Sequence, residues 1–291
     1  MFVFVKNFVF LSFCLLCQGM VFASDWQRVF FDDFDSLDLN REVWATRYIY
    51  NNERLDHLKD EAQRYRDSGN HVIDEGVLSL VARKNGDIFE SGMIRSKKTF
   101  MYGYFEARIF LPNAKGVWPA FWLNSDYDQN GKLEWPPEID VFEFALNIKD
   151  DKSNMIHSAV VDKGQKQSTV FYYVANDFDL RYKNMVSASP LNEDWHVAGL
   201  LWDFDSVTMY WDGRRIYTRS YSWLRLNGDL APPAHILLNL AVGGKWAGRY
   251  GVDESSFPQT FRIDYVKVCQ DFSGSFDDSQ DKSSYKYPPI C

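Results

Sequence analysis

From Trp26 to about Gln270 the chain is a succession of short runs in which every second position is apolar, and none sustains a 3.6-residue apolar period. The clearest runs are GVLSLVAR (Gly76 to Arg83), GYFEARIFL (Gly103 to Leu111), WHVAGLLWD (Trp195 to Asp203), VTMYWDGRRIYT (Val207 to Thr218) and FRIDYVKV (Phe261 to Val268). In the fourth, Asp212-Gly213 is the pair that a type I′ hairpin turn needs, so this run predicts two strands joined by a tight turn. Many short strands with turn signals between them predict an all-β sandwich of two antiparallel sheets. No Pro/Gly/Ser linker and no repeat interrupts the stretch, and about 245 residues suits one sandwich domain.

One run departs from the alternation. WPPEIDVFEF, Trp135 to Phe144, carries Glu138, Asp140 and Glu143 among residues that otherwise read as a buried strand. Alternation puts Glu138 and Asp140 on one face and sends Glu143 to the other. A one-residue β-bulge near Val141-Phe142 would return Glu143 to the face of the first two, and bulges concentrate next to active sites. Two glutamates leaning toward each other from such a strand could approach to about 5 or 6 Å, the separation of a retaining glycosidase. Crowding three carboxyls also makes full ionisation unfavourable, so the group should hold a proton near neutral pH. Two rival readings are a solvated strand face, which the flanking Trp135, Pro136, Pro137, Phe142 and Phe144 argue against, and a calcium site. Calcium usually gathers six to eight oxygens from a flexible loop, which a stiff strand does not supply.

The first 23 residues, with Lys6 ahead of a long apolar run and Ala23 at its end, have the order of a secretory signal peptide. The expected organisation is a leader at 1–23, a catalytic domain at 24–270 and an irregular tail at 271–291, with the protein secreted to an extracellular or periplasmic space. Losing Lys6 takes the net charge from -8 to -9, which disfavours nucleic acid and anionic membrane as partners. Cys269 and Cys291 are the cysteines that remain, an even pair that in an oxidising compartment predicts a disulfide pinning the tail.

Aromatic residues make up 17% of the chain, with 10 Trp, more than a sandwich core needs. Trp118 and Trp122 in GVWPAFW and Trp246 in AVGGKWAG stand beside turn or glycine signals, where a sugar-binding groove would use them. Trp195 and Trp202 are expected in the core.

The EIDVFE hexapeptide resembles the E-x-D-x-x-E signature of glycoside hydrolase family 16 in its bulged, laminarinase-like form. FFDDFDS, DEAQRY, GNHVIDEGVLSLVARK, SGMIRSKKTFMYGYFEARIFLP, GVWPAFWL, WHVAGLLWDFDSVTMYWDG, LLNLAVGGKWAG and FRIDYVKV are similar to further blocks of that family in the same order. The resemblance implies a β-jelly-roll sandwich with an open concave cleft, and a retaining endo-hydrolase of β-linked polysaccharide. It implies Glu138 as nucleophile, Glu143 as general acid/base and Asp140 as the assisting carboxylate. It further implies substrate contacts from Asn70, Arg95, Trp118, Trp122, His157, Asn239 and Trp246, no catalytic cofactor, and a structural calcium near Asp33, Gly76 and Asp264.

The leading expectation is a monomer acting on β-1,3-glucan such as laminarin. A galactan or a bacterial exopolysaccharide is the alternative substrate, since Pro136-Pro137 replaces the glycine that laminarinase-like relatives carry before the first glutamate. A non-catalytic carbohydrate-binding sandwich and a polysaccharide lyase are the readings from other classes.

Overall fold

A computed structural model describes residues 26–174, 177–179, 189–272 and 287–291, with side chains 173, 174 and 177–179 left aside. The expected leader therefore lies outside the described residues, as does most of the expected tail. Within them the period-2 runs become strands. The expected GVLSLVAR strand is Val77–Asn85, GYFEARIFL is Gly103–Phe110, and WHVAGLLWD is Trp195–Trp202. The predicted hairpin joins Ser206–Trp211 to Arg214–Ser220, with Asp212 and Gly213 both at positive φ, 50° and 73°, as a type I′ turn requires.

Among the described residues the strands form two sheets, one of ten and one of eight. The eight-stranded sheet runs in space from Asp177–Asp179 through Gln165–Val174, Met155–Asp162, Glu138–Glu143, Val117–Ser125, Ala234–Val242 and Met93–Ser96 to Trp44–Ala45. The acid-bearing strand is thus flanked on both sides, so its face can line a cleft while its backbone stays paired. The ten-stranded sheet is built around Gln259–Asp271. One continuous apolar cluster fills the space between the sheets, including Phe105, Ile109, Phe121, Ile139, Phe142, Trp202, Trp211, Leu238 and Ile263. Burying such surface is the main force holding the layers together.

Trp202 lies in that core, fully buried. Trp195 does not: it is partly exposed on the ten-stranded sheet, with the Arg108 and Arg262 guanidinium groups over its ring at 4.7 and 5.2 Å. It stands an odd number of positions from Trp202, so alternation turns it to the outer face of its strand, where the arginines cover it. Cys269 is bonded to Cys291 with Cα atoms 6.2 Å apart, so the end of the chain is tied to the last long strand. No helix among the described residues is long and apolar enough to cross a membrane.

Candidate active site

The predicted bulge is present. Opposite the neighbouring strand, Asp140 pairs with Trp122 and Phe142 with Phe121, leaving Val141 as the extra residue. On the other side Asp140 pairs with Ala159 and Glu143 with His157, three residues against two. Ile139, Val141, Phe142 and Phe144 consequently all enter the core, while Glu138, Asp140 and Glu143 line one cavity of about 210 Å³. Four apolar anchors hold the kink in place, and the acids are left with a single direction to face.

Asp140 and Glu143 are buried, at 4% and 7% exposure, and Glu138 is partly exposed. Burial raises the Asp140 carboxyl to about 7, with repulsion from Glu138 next. Burial and then repulsion from Asp140 raise Glu143 to about 7 as well. Glu138 also moves upward, from desolvation first and the Glu143 charge second, although the Trp135 indole donates to its Oε2 at 3.0 Å. Lys166 stands 3.4 Å from Asp140 Oδ2 and 3.3 Å from Glu143 Oε2. Burial alone would make that ammonium more acidic, but the three carboxylates reverse this and hold it protonated. A single cation shared among three acids does not offset their desolvation, so cation and carboxyls are all raised. The cluster can keep a proton at neutral pH while another member stays charged, and it titrates as a group.

Around these acids the cavity is lined by Trp118, Ala120, Trp122 and Asn239, and by a wall of Tyr48, Leu58, Asp60 and Glu61. Trp122 Nε1 donates to Asn239 Oδ1 at 2.8 Å, and Asn239 Nδ2 donates to Tyr65 Oη at 2.9 Å. Tyr65 and Tyr48 both donate to Glu61 Oε1, at 3.3 and 2.6 Å. Asn239 is therefore in the cleft, with its amide engaged in bracing Trp122. Asp60 is held at the rim because Gly244, at φ +71°, lets the two backbones touch where a Cβ would collide with the Asp60 carbonyl.

Trp246 meets Trp118 edge-on at 5.2 Å between centroids and His157 at 4.8 Å. Asp151 ties this corner together: its Oδ2 accepts from Trp246 Nε1 at 2.8 Å, and its Oδ1 lies 2.7 Å from His157 Nε2. Burial would raise Asp151, but its bonds to His157, Trp246 and Asn147 leave it below the usual carboxylate range.

Two expected sugar contacts fall elsewhere. Asn70 is wholly buried and its Nδ2 donates to the Val81 carbonyl at 2.8 Å, so it serves the junction of strands away from the cavity. Arg95 shares its strand pairing with Leu237 but is 2% exposed, closed over by an ion pair to Glu53 at 2.8 Å. Both side chains are enclosed by protein in this structure. Lys166, Asp151, Trp135 and the Tyr48–Glu61 wall were not expected. Lys163-Gly164, at the turn between Met155–Asp162 and Gln165–Val174, is a hairpin signal. Its register puts Lys166 opposite Val161, which itself faces Glu138.

The calcium residues lie on the ten-stranded side. The Asp33 carbonyl and Asp35 Oδ1 border Gly76, whereas the Asp264 carboxylate accepts from Arg108 at 2.7 Å. Among the described residues no group of three or more His, Cys, Asp or Glu side chains could hold a metal. The donors at Gly76 are hard oxygens of the type calcium takes.

A two-sheet sandwich that opens three crowded carboxyls toward indole rings has the fold and site of a glycoside hydrolase. The chain belongs to glycosyl hydrolases family 16, whose model matches residues 59–267. A beta-glucanase of Rhodothermus marinus is 27% identical over 266 residues, covering 84% of this chain and 86% of that one. Glucan endo-1,3-beta-glucosidase A1 of Niallia circulans is 28% identical over 270 residues, 84% of this chain but only 37% of its own length. Among solved structures, the laminarinase from Flavobacterium sp. UMI-01 superposes with a TM-score of 0.65 at 26% identity, covering 84% of this chain and all of that one.

Proposed function

We propose that this chain is a secreted, retaining endo-β-glucanase whose substrate is a β-1,3-glucan. The observation that carries the reading is the bulge, which turns Glu138, Asp140 and Glu143 to one cavity lined by Trp118 and Trp122. Glu138 attacks the anomeric carbon as Glu143 protonates the departing oxygen, giving a glycosyl-enzyme ester. Glu143 then takes a proton from water, which attacks the same carbon and releases Glu138. The Trp135 donor favours the ionised form of Glu138 that attack requires. Asp140, between the two and raised to about 7, can hold a proton and spread charge between them. Trp118 and Trp122 offer flat apolar faces to pyranose rings.

The β-1,3-glucan assignment draws on relatives known as a glucan endo-1,3-beta-glucosidase and a laminarinase, and secretion on the composition of the leader. Reducing-sugar release from laminarin, mixed-linkage glucan, agarose and carrageenan tests it, with Glu138→Gln as control. Laminarin cleavage lost in the variant is expected; cleavage of agarose or carrageenan alone would overturn the substrate. A structural calcium beside Asp33 and Gly76 is part of the same proposal and takes no step in the chemistry. Adding EDTA should then lower Tm by a few degrees, and an unchanged Tm would remove the ion.

A further inference from the structure

Lys166 stands outside every role described so far. It comes from the Gln165–Val174 strand, two strands from the acids, and its ammonium reaches Asp140 Oδ2 and Glu143 Oε2 at 3.4 and 3.3 Å. Its side chain is 47% exposed, so packing does not force it there. The choice of partners matters. The hydrogen bond goes to Glu143, the group that must be protonated in the first half-reaction and ionised in the second. Glu138 has a different donor, the neutral Trp135 indole.

We propose that Lys166 is a positioning residue that sets the acidity of Glu143 and thereby the alkaline limit of activity. It rests on Glu143 being the acid/base. A cation at 3.3 Å stabilises the carboxylate over the carboxylic acid, opposing the burial that pushes Glu143 up. The other charges facing Glu143 either oppose this or add less to it. Asp140 and Glu138 share its strand and repel it, as do Asp60 and Glu61 from the opposite wall of the cavity. His157 pairs with it across the next strand and acts in the same direction more weakly than Lys166, being bound to Asp151. The Val117–Ser125 strand presents Ala120 and Trp122, which carry no charge. Beneath the sheet, Tyr217 meets Ser158 and not the acid. Lys166 is thus the nearest compensating cation. An acid/base held charged too strongly would fail to protonate the leaving group, and one with no cation would stay protonated and be unavailable as the base in the second half-reaction.

The test is the pH profile of kcat/KM on laminarin for the wild type, Lys166→Met, Lys166→Gln and Lys166→Arg. Removing the charge should move the alkaline limb up by about one pH unit, the low end expected for a half-exposed cation beside a carboxylate. Lys166→Arg should restore the wild-type limb. Superimposable limbs for the wild type and both neutral variants would overturn the proposal. So would an equal shift in Lys166→Arg, or a fall in kcat with no movement of the limb, each of which marks a packing role. A titration of ¹³C-labelled glutamate carboxyls without substrate, assigned with Glu143→Gln, reads the same shift independently of turnover. If the wild type cleaves no glucan, the functional reading fails, while this titration still decides the role of Lys166.

Discussion

Each sheet of the sandwich buries an acidic residue beside a lysine, and the two are treated in opposite ways. On the ten-stranded sheet Glu106 accepts from Tyr104 at 2.6 Å and Tyr265 at 2.8 Å, with Lys267 at 2.9 Å. Both of its oxygens are occupied by protein. On the eight-stranded sheet Asp140 Oδ2 has no hydrogen-bond partner, and Lys166 at 3.4 Å is within ion-pair reach without the alignment of a bond. Two more acids crowd beside it. A buried carboxylate whose acceptor sites are filled secures the fold; one left short of partners keeps its proton affinity high and available for chemistry. Burial therefore does not by itself distinguish a structural acid from a working one, but the completeness of its partners does.

Mutations on the two sides should separate this contrast cleanly. The largest effect belongs to the cleft: Glu138→Gln and Glu143→Gln should each lower kcat by about 10³-fold, with Tm equal to or above that of the wild type. Glu106→Gln should do the reverse, lowering stability by about 2 kcal/mol in urea unfolding because Lys267 loses its counter-charge. Activity per folded molecule should stay unchanged in that variant; a matching loss of kcat would break the contrast.

A smaller effect is visible in stability against pH. The folded-state carboxyl of Asp140 lies near 7, raised from 3.8. Between these values the folded protein binds a proton that the unfolded chain has released. Its contribution is therefore most favourable at low pH and fades as pH rises toward 7. Asp140→Asn removes that dependence, so the Tm of the variant minus that of the wild type should grow more positive from pH 4 to pH 7. A difference that is constant with pH would mean Asp140 is not raised.

Asp151→Asn should give the smallest change. It weakens the charge-assisted bonds that fix Trp246 and His157, and an increase in KM of about 5-fold with little change in kcat is expected. Equal losses in both parameters would instead place Asp151 in the chemical step.

The β class, the Asp212-Gly213 turn and the kink in EIDVFE were all legible in the sequence, because each depends on residues adjacent in the chain. Parity located the bulge: three acids could share a face only if one residue were extra. What parity could not supply was the company the acids keep. Lys166 comes from two strands away, and Glu61 with Tyr48 from a loop that folds over the sheet. Asn70 and Arg95 show the converse. Their positions along the chain match the family's blocks, but whether a side chain meets solvent depends on what covers it, here the Val81 carbonyl and Glu53. Trp195 differs, since it stands an odd number of positions from Trp202 on one strand and alternation alone keeps the two from sharing the core.

The most direct test follows the stereochemistry of the first product. In proton NMR recorded during early hydrolysis of laminarin, carboxyls brought to one cavity for double displacement should release the β-anomer first, with the α-anomer appearing only through later mutarotation. Initial release of the α-anomer would mean a single inverting displacement, and would contradict the assignment of Glu138 as the residue that bonds to the sugar.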